Sequence, residues 1–329
     1  PDLAEELRDH VDALALIDDA LEDRQFSEDP LPEKIGDYRI EGELGSGGMG
    51  TVYLARGPDE EAVAVKVIHP HLLERRGFFK RFLREAQMGA KLRHENVVRT
   101  LDVDAVQLGG RTAHFLVMEY VQGKTLRSLV QELGVVPEAL LREIALQAAL
   151  GLAAIHEQGI VHRDLKPENL LITDDHLVRI MDLGVARRID ATLALTQEGQ
   201  FAGSLLYASP EQFEKTEIGP AADLYALGVL LYELATGGNP FRADQVAAVI
   251  KAHLEFVPAR IQERVPDISP FFSEIVATLL EKKPDARIPS ARGLTDILER
   301  GEEAAWWLSL IHISEPTRPS KSSRMPSSA

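Results

Sequence analysis

Residues 160–172 read Ile160-Val161-His162-Arg163-Asp164-Leu165-Lys166-Pro167-Glu168-Asn169-Leu170-Leu171-Ile172. Two carboxylates, cationic side chains and an amide crowd one short segment, and apolar residues of buried-strand type frame it on both sides. A merely solvated charged loop does not need such flanks. A loop that must hold its charges against a core does. Farther on, Ile180-Met181-Asp182-Leu183-Gly184 places another acid directly after an apolar strand pattern. Asn169 and Asp182 supply hard oxygen ligands of the kind Mg²⁺ prefers.

Upstream, Gly45, Gly47 and Gly50 spell GxGxxG, with Val52 following. Alone, that signal is weak: it also opens dinucleotide-binding units, and glycines gather in many turns. A dinucleotide loop runs straight into a helix. Here Thr51-Val52-Tyr53-Leu54 continues as a strand. A glycine turn between two strands can fold over phosphates, because missing Cβ atoms let backbone N–H groups approach the oxygens. Next comes Ala64-Val65-Lys66-Val67. A strand lysine is most often a snorkelling surface residue, but after a glycine turn it reads as a cation for phosphates. Such a cation needs an anionic holder. Glu85, on the following helical stretch, is the candidate, although a helical acid by itself is usually solvated.

The periodicity sorts the chain into strands first and helices after. Residues 38–56 alternate around the glycine turn, 61–68 form a β-branched strand, and 97–103 and 113–118 read as further strands. Helical spacing appears over 76–92, 125–133, 138–158, 221–236, 243–253, 270–281 and 290–300. This order predicts an α+β chain with a small β-rich lobe on a larger α-rich lobe. Before it, Leu3, Leu7, Val11, Leu14, Ile17 and Leu21 mark one face of a helix over 2–25, and the prolines at 30 and 32 mark a linker.

The net charge is −16, and residues 1–37 carry 13 acids against 3 bases. The excess therefore sits largely on the extension, and a chain so acidic is a poor general binder of nucleic acid or anionic lipid. With no cysteine there is no disulfide, thiolate metal site or cysteine nucleophile. No uninterrupted apolar run approaches the ~20 residues of a membrane span.

Taken together, the ordered motifs resemble a eukaryotic-type (Hanks-type) protein kinase of the bacterial Ser/Thr branch, from about Tyr38 to Arg300. The resemblance implies a bilobal protein kinase fold: an N-lobe over 38–117, and a hinge and C-lobe over 118–301. The helical extension and linker over 1–33 precede it, and a tail over 302–329 follows. It implies ATP, with Mg²⁺ or Mn²⁺, as the phosphoryl donor. Gly45, Gly47 and Gly50, with Leu44, would cover ATP. Lys66, held by Glu85, would bind its α/β-phosphates. Val52, Ala64 and Leu171 would sandwich the base, Met118 would be the gatekeeper, and Glu119 to Val121 the hinge. Asp164 would orient the substrate hydroxyl, Lys166 would neutralise the γ-phosphoryl, and Asn169 and Asp182 would hold the metal. Glu211 in Ser209-Pro210-Glu211 would pair with Arg287, and Asp223 would anchor the catalytic loop. Lys166, two residues after Asp164, is the Ser/Thr pattern.

Three positions depart from the commoner pattern. Leu183 stands for Phe, Ser209 for Ala, and Ser204 for Thr at a residue expected to contact Asp164 and Lys166. Arg163 beside Asp164 suggests a switch: phosphate on the activation segment, at Thr196 rather than Thr192, would pair with it. The implied partners are protein substrates, and a second copy of the chain for trans-autophosphorylation. A pseudokinase would lack at least one of Lys66, Asp164, Asn169 or Asp182, and a small-molecule phosphotransferase would lack the Ser209-Pro210-Glu211 segment.

The tail is set apart. Leu308 to Arg318 resembles one reading frame of a transposase-type sequencing-library adapter, and Ser323 to Ala329 its continuation. Residues 308–329 are accordingly expected to be non-native and to add nothing to stability. A cytoplasmic location is expected. Relatives often carry a membrane span and a sensor domain beyond the position of Trp307.

Overall fold

The computed structural model describes residues 31–74, 78–108, 110–183, 202–214 and 216–314, and only the backbone of Arg81, Glu85, Ala202 and residues 312–314. The expected helix over 2–25, Thr192 and Thr196 lie outside the described residues.

Six strands form one antiparallel sheet: β1 (Lys34–Ile35), β2 (Tyr38–Gly47), β3 (Gly50–Arg56), β4 (Ala62–Ile68), β5 (Thr100–Leu108) and β6 (Arg111–Glu119). Their spatial order is β1-β2-β3-β4-β6-β5. Side chains alternate across a strand, and β4 uses both faces. Val63 and Val65 pack with Ile35, Ala55, Phe115 and Val117 on one side. Ala64 and Ile68 pack with Leu116, Met118 and Phe82 on the other. Lys66 is in phase with Ala64 and Ile68, so the alternation alone sends it to the face that carries the site. Helices α1 (Pro70–Leu73) and α2 (Phe78–Gly89) follow β4, and α2 covers that face through Phe78, Phe82 and Ala86.

Below the sheet, β7 (Gly123–Thr125), β8 (Leu170–Thr173) and β9 (Val178–Ile180) form a second small sheet. Among the described residues these helices follow: α3 (Leu126–Leu133), α4 (Glu138–Glu157), α5 (Ala202–Leu205), α6 (Pro210–Phe213), α7 (Ala221–Thr236), α8 (Val246–Glu255), α9 (Ile261–Arg264), α10 (Pro270–Leu279), α11 (Ala291–Arg300) and α12 (Ala305–Ser314). Every residue of α7 from Ala222 to Ala235 is buried, the signature of a helix at the centre of a core. Gly237 ends it in the left-handed region, φ 74°, donating its N–H to the Glu233 carbonyl. Helix α4 has the length and apolar content of a membrane span, yet Leu141, Ile144, Leu152 and Ile155 are fully buried among α7 and α11 side chains.

Two local expectations change. Ile160 and Val161 are not a strand, because the next two backbone N–H groups turn to the Asp223 carboxylate rather than to a neighbouring strand. The strand expected at 97–103 starts only at Thr100, since the preceding backbone ties the two lobes together. There Val98 donates to the Ile180 carbonyl at 2.8 Å, and Ile180 to that of Asn96 at 2.8 Å. Helix α12 runs past Trp307 to Ser314, into the stretch expected to be non-native. Trp306 and Trp307 pack on the core, while Leu308 and Ile311 are each 38% exposed.

Candidate active site

The segment 162–169 is built around one buried carboxylate. Asp223, in the first turn of α7, is 0% exposed. Its Oδ1 accepts the Arg163 N–H at 2.7 Å, and its Oδ2 accepts the His162 N–H at 2.8 Å. The His156 ring Nε2 is also 2.8 Å from Oδ2. Burial pushes this carboxyl up, but the His156 contact and the Arg163 N–H outweigh burial and hold it below the usual carboxylate range. The grip costs backbone strain: Arg163 has φ 63°, a conformation few non-glycine residues adopt. The buried His162 ring spans from this loop to the Met181 carbonyl at 3.0 Å. It thereby couples the loop to the residue before Asp182.

Asp164 and its neighbours converge from there. Asn169 Nδ2 donates to the Asp164 carbonyl at 2.7 Å and to Asp164 Oδ2 at 3.2 Å. Lys166 Nζ lies 3.3 Å from Asp164 Oδ2 and donates to Ser204 Oγ at 2.9 Å. Asn169 is locked in turn by its carbonyl, which accepts the Met181 N–H at 2.9 Å. Asp182 itself has φ 55°, and its Oδ2 is 2.7 Å from Lys66 Nζ. Ile68, Phe78, Phe82 and Leu116 wall this pair, and Lys66 and Asp182 are 9% and 19% exposed. The sequence assigned Lys66 to Glu85. In the structure Lys66 pairs with Asp182, and the Glu85 side chain lies outside the described residues.

Beside the pair lies an apolar cluster. Ala64 and Met118 are cross-strand partners, and Val52, Val121 and Leu171 pack into the same cluster. Glu119 turns its carboxylate away, accepting the Arg99 N–H at 2.8 Å and pairing with Arg179 of β9. Leu44 is exposed at the far end of β2, before Gly45 and Gly47. At Gly50 a Cβ would sit 1.9 Å from the Val67 carbonyl oxygen, so only glycine lets β3 approach β4 there.

The substrate side of the loop holds partners that the sequence did not announce. Arg127 of α3 reaches Glu168 Oε1 at 2.8 Å, Glu233 Oε1 at 2.8 Å and the Tyr207 hydroxyl at 2.6 Å. Tyr207 also donates to Glu233. Burial first, and then the adjacent Glu233 charge, push the Tyr207 phenol upward, so it stays protonated. Arg127, His156, Arg179 and Tyr207 belong to none of the motifs that the sequence singled out. Only their long-range contacts mark them out. Glu211 and Arg287 form a buried bidentate pair at 2.7 and 2.8 Å. Ser209 Oγ lies 3.1 Å from Gln212 Oε1, and its backbone N–H donates to the same oxygen at 2.9 Å. A hydroxyl is therefore used where Ala is commoner. Leu183 is buried in the main core.

A model of the protein kinase domain matches residues 38–298. The chain is 37% identical over 301 residues to the serine/threonine-protein kinase PknA of Corynebacterium glutamicum, covering 90% of this chain and 61% of that protein. It is 36% identical over 275 residues to the serine/threonine-protein kinase PknB of Mycolicibacterium smegmatis, covering 83% of this chain and 44% of that protein. The chain thus spans only part of the length of the curated relatives it matches. Among solved structures, the kinase domain of Mycobacterium tuberculosis PknI superposes with a TM-score of 0.65 at 24% identity, covering 84% of this chain and all of that one. That likeness concerns the fold.

Proposed function

This chain belongs to the protein kinase family, and on that premise we propose that it transfers the γ-phosphate of ATP to Ser and Thr hydroxyls of proteins. The observation that carries the reading is the setting of Asp164. Its carboxylate is held by Asn169 and faced by Lys166, in a loop whose backbone Asp223 pins. In this reading Asp164 accepts a hydrogen bond from the substrate hydroxyl and aims it at the γ-phosphorus. Lys166, between Asp164 and Ser204, neutralises charge that builds on the transferred group. Lys66 receives the α/β-phosphates. The slot formed by Val52, Ala64, Met118, Val121 and Leu171 takes the base, with Glu119 and Val121 presenting hinge backbone to it and Leu44 at its rim.

A divalent cation fits the donor set. The Asn169 amide spends its N–H₂ on Asp164, which leaves its oxygen as an acceptor, and the Asp182 carboxylate already holds a cation in the form of Lys66. These are hard oxygen donors suited to Mg²⁺ or Mn²⁺. Bound by Asn169 and Asp182, such an ion would screen the phosphate charge.

The reading includes activation by autophosphorylation, chiefly at Thr196, between two copies of the chain, and work in the cytoplasm, where ATP is abundant. The test is phosphate transfer from γ-labelled ATP to an acceptor protein by the purified chain. Asp164→Asn, Lys66→Met and Asp182→Asn should each lower the rate at least ~10²-fold, as expected where electrostatic preorganisation dominates. Undiminished transfer by Asp164→Asn would overturn the assignment. Phosphosite mapping of the parent beside Asp164→Asn, with rates for Thr196→Ala, tests the activation step.

A further inference from the structure

The glycine turn is held from within at its base, where Gly47 pairs with Gly50 and Ser46 Oγ lies 3.1 Å from Thr51 Oγ1, but its glycines are otherwise open. At Gly45, Gly47 and Gly48 an added Cβ would meet nothing within 4 Å, so the turn borders open space. Glycine also carries the largest conformational entropy of any residue. Against that freedom a tether from outside the turn adds to its own pairing, and His69 supplies two. Its backbone N–H donates to the Met49 carbonyl at 3.2 Å. Its ring Nε2 lies 3.0 Å from the Gly47 carbonyl oxygen. A carbonyl only accepts, so Nε2 carries the proton.

The placement of His69 is itself rigid. It directly follows β4, three residues beyond Lys66, and precedes Pro70, which confines it to extended backbone (φ −62°, ψ 132°). It stands at the N-cap of α1, yet its side chain makes no capping bond to the helix. The side chain is given to the turn instead. The His71 ring stacks on it, with centroids 5.6 Å apart and planes 19° apart, which restrains the ring in the donating orientation.

We propose that His69 is a positioning residue for nucleotide binding: its ring N–H on Gly47 and its backbone N–H on Met49 fix the height of the glycine turn over the phosphates. The proposal rests on the ATP reading above. Lys66 and His69 lie on one short stretch of backbone, so the cation for the phosphates and the tether of the turn move together. A bond to the Gly47 carbonyl also polarises the Gly47–Gly48 peptide. The N–H of Gly48 becomes a stronger donor to an anion, since linked hydrogen bonds reinforce one another.

The test compares the parent chain with His69→Phe, which keeps a ring to stack on His71 but has no donor, and His69→Gln, which restores a side-chain N–H. Binding of a fluorescent ADP analogue with Mg²⁺ and the KM for ATP are both measured. His69→Phe should weaken the analogue and raise the KM about 3- to 10-fold, the change expected from one hydrogen bond. The KM for acceptor protein and the melting temperature should stay at parent values. His69→Gln should recover most of the loss. Parent-like nucleotide affinity in His69→Phe, or no recovery in His69→Gln, would overturn the proposal. Should His69→Phe fail to fold, hydrogen exchange at residues 46–50 in His69→Gln and the parent decides: exchange faster by tenfold or more in His69→Gln overturns it, and near-parent protection supports it. A parent chain that binds the analogue but transfers no phosphate would sink the kinase reading alone, and analogue binding would still report on His69.

Discussion

Asp223 shows how one side chain can set an active loop. Its two oxygens receive two successive backbone N–H groups and a histidine ring, all away from water. Removing the acceptor leaves those donors buried without it, and a stranded buried donor costs more than a made hydrogen bond yields. Asp223→Ala should therefore lower stability by about 2–4 kcal/mol, read by urea unfolding, and should depress transfer well beyond the loss of folded protein. Gly50 works by absence rather than by presence. Its missing side chain admits the Val67 carbonyl, and a Cβ at 1.9 Å forces β3 and β4 apart beside the glycine turn. Gly50→Ala should cost about 1–3 kcal/mol and raise the KM for ATP, as thermal melts and an ATP titration would reveal.

At the scale of elements, α8 is joined to α6 and α7 through a histidine. His253 is 0% exposed, with its Nδ1 3.0 Å from the Tyr225 hydroxyl and its ring against Phe213 and Phe241. Two cations face this cluster, Lys282 with Nζ 4.5 Å from the Phe241 ring centroid and Arg287 over the Tyr225 ring at 4.9 Å. Burial, and then the Lys282 charge, push the His253 pKa down to about 3, partly offset by the Leu205 and Leu206 backbone. The sign follows from linkage. Below pH 6.5 the unfolded histidine takes a proton that the folded one refuses, so stability falls as pH falls from 6.5 toward 3. Between pH 7 and pH 5 this group should cost about 1–2 kcal/mol. His253→Phe should flatten that part of the stability profile, measured by chemical denaturation across pH. A variant with the parent's slope would assign the acid sensitivity to another group.

At the scale of the whole molecule, distant segments are clamped by charge inside the core. Glu211, at the start of α6, and Arg287, ahead of α11, are 4% and 3% exposed. Arg287 also donates to the carbonyls of Ala221, Glu281 and Lys282. Breaking such a pair by removing one partner strands the other charge. Arg287→Leu should cost about 3–5 kcal/mol, while the paired change Arg287→Leu with Glu211→Leu should cost less, a difference that a double-mutant cycle measures. The far end of the chain behaves differently. The core takes up Trp306 and Trp307, with Trp307 edge-on to Phe271 at 5.7 Å, whereas Leu308 and Ile311 face solvent. Ending the chain after Trp307 should leave the melting temperature within about 2 °C, because little apolar surface is lost. A larger drop would show that the last turns of α12 contribute to packing.

Long elements and the site's membership were legible in the residues because both rest on local order. The range 221–236 read from the residues matches helix α7 as observed, and the strand read at 61–68 carries Lys66 as β4. The ordered motifs picked out Asp164, Lys166, Asn169 and Asp182, and the folded chain brings them together. The resemblance supplied the pairs Glu211–Arg287 and Lys166–Ser204 and the anchor Asp223, all of which the structure shows; partners outside it could not be read, since a side chain's partner is chosen among residues that chain separation hides. Lys66 meets Asp182 across 116 positions, Arg127 meets Glu233 across 106, and Ile160-Val161 gives up its strand because a carboxylate on α7 claims the next two N–H groups. His69 is the sharpest case: its sequence neighbours are a strand and a proline, and only the folding-back of β2 and β3 onto β4 sets the Gly47 carbonyl 3.0 Å from its ring. Local period is a property of a segment, whereas a hydrogen-bond partner is a property of the closed chain.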